Sequence, residues 1–85
     1  MFQIRYSKQA VKTRLKMPEG IAGKIDAELE NIANNPTGYK GDWKRLQGTP
    51  FWRLRIGNWR IICEVIKKEL MVYVLKIGSR GDVYK

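Results

Sequence analysis

An α+β fold is what this 85-residue chain predicts, with an N-terminal strand, two helices and then an antiparallel three-strand meander, all strands forming one four-stranded sheet. Three patterns carry that prediction. Apolar residues alternate at the N-terminus, they recur at spacings of four and three through the first half, and they run almost unbroken through two segments of the second half. The length allows a single domain spanning residues 1–85, with 44% hydrophobic residues to build a modest core.

Phe2, Ile4 and Tyr6 alternate with Gln3 and Arg5, the period of a strand with one face toward a core. Ser7 then offers an N-cap hydroxyl. Ala10, Val11 and Leu15 fall on one face of a first helix, and Lys8, Lys12 and Lys16 on the other. Pro18 disfavours helical geometry at Met17 and ends that helix. A second helix places Ile21, Ile25, Leu29 and Ile32 on one stripe and stops at Asn34-Asn35-Pro36. Its polar face holds Glu19, Asp26, Glu28 and Glu30. Thr37 to Pro50 is rich in glycine, with Trp43 and Leu46 as anchors, and reads as a loop with one helical turn. Trp59 to Ile66 and Leu70 to Ile77 are β-branched and aromatic runs separated by Lys67-Lys68-Glu69, as central strands require. The tail from Gly78 to Lys85 leaves the last strand through glycines.

Charge narrows the function. The formal net charge is +9 with a pI near 10.0, which attracts polyanions. No apolar window is long enough to cross a membrane, and the N-terminus reads as a strand rather than a signal peptide, so a cytoplasmic protein with no membrane partner is expected. The single cysteine, Cys63, lies in an apolar run and reads as a core residue. There is no histidine, which removes imidazole acid–base pairs, histidine metal ligands and the common nucleophile triads. No metal or cofactor is expected.

The charge is also local. From Tyr39 to Arg60, six basic residues oppose one acidic residue, a net charge of +5. Within it, Phe51 to Arg60 carries three arginines and no carboxylate. An extended Phe51 to Ile56 sends Arg53 and Arg55 to one face and Trp52, Leu54 and Ile56 to the other. A hairpin turn at Gly57-Asn58 returns Arg60 beside them. Three cations so close call for an anion among them, and phosphate is the implied ligand. Lys40, Lys44 and Arg45 read as further nucleic-acid phosphate contacts, or as a solubilising loop. Trp43, Trp52 and Trp59 read as core or rim anchors before base-stacking platforms.

The helix end Ile32-Ala33-Asn34-Asn35-Pro36, the step Arg45-Leu46-Gln47-Gly48, the strand Trp52-Arg53-Leu54-Arg55, the run Trp59-Arg60-Ile61-Ile62 and the close Ile77-Gly78-Ser79-Arg80-Gly81-Asp82-Val83-Tyr84 together resemble the RelE/ParE toxin superfamily. The resemblance spans essentially the whole chain. It implies a microbial RNase-like RelE fold and the toxin of a type II toxin–antitoxin module, with a cognate antitoxin as partner. The RelE branch cleaves mRNA on the ribosome by attack of the RNA 2'-OH, without metal. Its site residues carry over to Arg53, Arg55, Arg60, Arg80 and Tyr84. The ParE branch, which poisons DNA gyrase, shares the fold and generally lacks that set, so the RelE branch is favoured. Two departures stand out: Ser79 occupies a position that is often histidine in relatives, and the chain stops at Lys85 without the extra C-terminal helix of some RelE members. A non-catalytic basic domain that binds RNA or ribosomes is the third reading.

Overall fold

The computed structural model describes residues 1–79, which form β1 (Gln3–Tyr6), α1 (Lys8–Lys16), α2 (Glu19–Asn34), β2 (Trp43–Arg45), β3 (Phe51–Ile56), β4 (Trp59–Ile66) and β5 (Met71–Ser79). The strands make one sheet in the order β1-β5-β4-β3-β2. β3, β4 and β5 are the expected antiparallel meander, and β1 lies parallel to β5 at one edge. The α+β class therefore holds, and the two apolar runs occupy central positions.

Each start and stop has a local cause. Ser7 caps α1 by accepting the Ala10 N–H at 3.1 Å. Its hydroxyl also donates to the Leu75 carbonyl at 2.5 Å. That carbonyl belongs to an irregular step in β5, where Ile62 pairs with Lys76 but Cys63 pairs with Val74. Gln9 then takes both backbone groups of Ile77, donating to its carbonyl at 3.4 Å and accepting its N–H at 3.2 Å. The start of α1 thus satisfies the β5 edge that β1 is too short to cover. α1 ends at Lys16 before Pro18, and α2 ends at Asn34 before Asn35-Pro36, as the prolines require.

Two expectations change. Thr37 to Pro50 contains a short strand rather than a helical turn, so the sheet has five strands instead of four. Trp43 is the reason: its indole donates to the Pro36 carbonyl at 2.9 Å and its ring stacks on Trp52 at 5.1 Å, which holds Trp43 to Arg45 against the outer edge of β3. Tertiary anchoring overrides a glycine-rich composition. In α1, only Ala10 is buried; Val11 and Leu15 stay exposed at 42% and 75%. Nine residues do not let α1 cover the sheet along its whole apolar stripe.

The core lies between the helices and one face of the sheet. Ile25, Leu29 and Ile32 from α2 meet Leu54, Ile61 and Val72, each fully or almost fully buried. Burial of a side chain of this size contributes about 1.5–3 kcal/mol. Cys63 joins this core, as expected, and burial pushes its thiol pKa up.

Polar stitching fixes the layers. The Tyr6 hydroxyl donates to Asp26 Oδ1 at 3.2 Å, and Arg14 donates to the same carboxylate through Nε at 2.9 Å and through a second guanidinium nitrogen. One carboxylate thereby joins β1, α1 and α2. Burial, then Asp26, pushes the Tyr6 pKa up to about 12, while the Arg14 hydrogen bond holds the Asp26 carboxyl below its ordinary value. Tyr39 donates to Glu28 at 2.9 Å, and burial, then Glu28, pushes it up to about 12 as well.

The signs of these shifts give a test. Both phenols hold their protons more firmly when folded, so their contribution is present below about pH 10 and is lost as pH rises toward about 12. Asp26 acts oppositely, stabilising above the ordinary carboxylate range and losing its contribution as pH falls through its lower folded value. Ultraviolet titration of the folded chain should show two of its four tyrosines ionising well above pH 10; all four ionising together near pH 10 would contradict the assignment. A methyl group added at Gly41 would overlap the Tyr39 ring. Gly41→Ala should therefore break the Tyr39–Glu28 bond, cost about 1 kcal/mol in denaturant unfolding and return one tyrosine toward its ordinary pKa.

Candidate nucleic-acid interface

Strand periodicity builds the interface. Leu54 and Ile56 are buried toward the helices, so Arg53 and Arg55 must point to the opposite face. Gly57 has a positive φ of 58° at the first position of the Gly57-Asn58 turn, which only glycine adopts without strain. The turn brings Arg60 directly opposite Arg55. All three arginines share one sheet face, as the alternation requires. Gly78 pairs with Arg60 on its other side, so no side chain flanks Arg60 from β5.

The neighbouring row crosses four strands as Lys44, Arg53, Ile62 and Lys76. Ile62 is only 6% exposed although it faces away from the helices. Its cross-strand neighbours are Arg53 and Lys76. The face is therefore a cationic surface with an apolar floor, and among the described residues no helix packs over it.

The anion that the arginines call for is partly supplied from within. Arg53 donates to Asp42 Oδ1 at 2.6 Å, and Arg55 Nε lies 4.0 Å from Asp42 Oδ2. The Asp42 carbonyl also accepts the Arg55 N–H at 2.9 Å, which fixes the backbone of Asp42 to β3. Arg53 is the most enclosed of the three partners, its side chain 19% exposed against 48% for Asp42 and 50% for Arg55. Among the described residues its Nε makes no hydrogen bond although it is shielded from solvent. Among the described residues Arg60 makes only a long 3.4 Å contact to the Asn58 carbonyl.

The other basic residues divide. Lys44 pairs with Arg53 and joins the cationic face. Arg45 pairs with Trp52 on the helix side, and its Nε donates to the Thr49 carbonyl at 3.3 Å, so it stands apart. Lys40 is exposed in the segment before β2. Trp43 and Trp59 pack against the core and Trp52 stacks on Trp43, the anchoring role expected of them. Arg80 and Tyr84 lie outside the described residues. Gly78 and Ser79, expected to begin a tail, instead continue β5, and Ser79 pairs with Trp59 one step from Arg60.

Sequence reasoning missed Asp42 and Lys76. Asp42 was visible as the lone carboxylate among six cations, which is itself the signal of a charge partner. Lys76 was visible as the one charge in an apolar run, but the irregular step at Leu75 that sets its face was not. Chemically, the face offers guanidinium forks that match phosphate oxygens and a lysine on each side of the Arg53–Ile62 pair.

Comparison with known proteins follows the fold. The family model described as the ParE toxin of the type II toxin–antitoxin system parDE matches residues 4–84. A toxin-named protein of Methanocaldococcus jannaschii, RelE1, is 29% identical over 86 residues, covering 99% of this chain and 96% of its own length. The archaeal RelE–RelB complex from Pyrococcus horikoshii superposes with a TM-score of 0.82 at 25% identity, over 95% of this chain and 97% of that one. The intact E. coli RelBE toxin–antitoxin complex gives 0.82 at 17% identity, over 95% and 99%. With residues 4–84 matched, the chain belongs to the ParE toxin family of type II toxin–antitoxin systems, as a RelE-like member of the RelE/ParE superfamily.

Proposed function

We propose that this toxin is an endoribonuclease that cleaves mRNA on the ribosome, acts in the cytoplasm and is neutralised by a cognate antitoxin. The observation that carries the reading is the gathering of Arg53, Arg55 and Arg60 on one sheet face, over which no helix packs among the described residues. A folded chain keeps three guanidinium groups together at a cost in repulsion, and a polyanionic substrate repays it.

The reaction needs three things: removal of the 2'-OH proton, stabilisation of a phosphorane that gains charge, and protonation of the leaving 5'-oxygen. The 2'-oxygen attacks phosphorus, the bond to the 5'-oxygen breaks, a cyclic phosphate forms, and the departing 5'-oxygen takes its proton from solvent water. Arg53, Arg55 and Arg60 hold the non-bridging oxygens and bind the phosphorane more tightly than the diester, because its charge is greater. Tyr84 takes the 2'-OH proton. Its reference pKa of about 10 makes it a weak base, and cationic neighbours would favour its phenolate. Arg80 stabilises charge at the leaving oxygen; a guanidinium gives up its proton too reluctantly to be the main acid. Lys44 steadies the RNA backbone beside Arg53, and Lys40 and Arg45 contact ribosomal RNA. With no histidine, the chain supplies the phosphate grip and relies on the ribosome to position the substrate.

A second reading has one observation in its favour, the ParE description of the matching family model. It makes the target DNA gyrase, and trapped gyrase with intact mRNA after expression would select it.

Arg60→Ala should lower mRNA cleavage in a translation extract by about 100-fold or more, the loss expected for one charged transition-state donor. Tyr84→Phe should have a comparable effect. Arg60 lies outside the hydrophobic core, so unfolding of Arg60→Ala should shift by less than about 0.5 kcal/mol. Undiminished cleavage by both variants would remove the assignment.

A further inference from the structure

Asp42 differs from an ordinary surface ion pair. Its backbone is tied to β3 through the Arg55 N–H at 2.9 Å, and its two carboxylate oxygens face Arg53 at 2.6 Å and Arg55 at 4.0 Å. One carboxylate thus occupies the space between two guanidinium groups where a phosphate would bring its non-bridging oxygens. Its position is set from behind: Tyr39 is held to α2 by Glu28, and Gly41 lets the chain pass close against the Tyr39 ring before reaching Asp42.

We propose that Asp42 is a resident anion of the site, filling the Arg53–Arg55 cradle in the free protein so that an RNA phosphate must displace it to enter. The inference rests on reading this face as RNA-binding and adds what governs its affinity. A carboxylate and a phosphate cannot both occupy one guanidinium edge without repulsion. Asp42 is half-exposed and has water available when it leaves, whereas Arg53 is mostly enclosed and, among the described residues, keeps an unused Nε–H. An RNA phosphodiester matches the carboxylate in charge and in its two non-bridging oxygens, so contacts along the rest of the strand have to repay the exchange. The consequence is selectivity. Free polyanions meet a neutralised cradle, and only RNA held by further contacts displaces the carboxylate.

Asp42→Asn tests this, because it removes the charge while keeping an oxygen that can accept from Arg53. Binding of a short single-stranded RNA, followed by fluorescence anisotropy at low salt, should tighten about threefold to tenfold. The gain should disappear when Arg53→Gln is added. Glu64→Gln removes the same charge elsewhere on this face, opposite Phe51, and should change affinity by less than about twofold. Asp42→Ser repeats the test without an amide, and circular dichroism checks that both variants fold. Equal or weaker binding by both Asp42 variants, or an equal gain from Glu64→Gln, would overturn the proposal. A chain that cuts no mRNA yet tightens on RNA in Asp42→Asn loses the nuclease reading alone. A chain that cuts mRNA without tightening loses this inference alone.

Discussion

The molecule turns on the two-sidedness of β3. Leu54 and Ile56 have to reach the helices, because the core between α2 and the sheet is otherwise left open. A strand has no third direction, so burying those two residues drives Arg53 and Arg55 to the other face. The hairpin at Gly57 then decides where Arg60 goes. A register slip of one residue would bury the arginines and expose the leucine and isoleucine, at a cost no small domain survives. Position and stability are therefore the same constraint: the packing that holds the fold together also assembles the cationic face.

The helices lie on one side, so among the described residues no helix covers the other face. α1 spends its polar start on β5, with Ser7 and Gln9 satisfying Leu75 and Ile77, rather than extending over the sheet. Arg14, Tyr6 and Asp26 lock α1 and α2 to β1 at the far edge. A sheet face with basic rows and, among the described residues, no helix over it suits a long polyanion better than a small ligand, which would need a concave pocket. Asp42 tempers the charge of that surface at its most enclosed arginine.

Much of this was legible in the sequence because it rests on short-range periodicity. The period of two placed Arg53, Arg55 and Arg60 together, Ser7 and Pro18 bounded the first helix, and the four-and-three spacing of Ile25, Leu29 and Ile32 gave the buried stripe. What escaped depends on contacts distant in the chain. β2 exists because Trp43 meets Pro36 and Trp52, and neither contact is visible in a glycine-rich stretch. Lys76 reached the basic face only through the irregular step in β5. Val11 and Leu15 share a stripe with Ala10 yet remain outside the core, since amphipathicity gives a face and not the extent of what covers it. The pairing of Asp42 with Arg53 and Arg55 required the β2–β3 neighbourhood that the missing strand creates.

The central claim is that this arginine face acts on RNA presented by a ribosome. Primer-extension mapping of one transcript, incubated with the chain in a translation system with and without initiation, tests it most directly. Discrete cuts within the translated region, vanishing when initiation is blocked, are expected. An intact transcript under both conditions, with the chain folded and free of antitoxin, would contradict it.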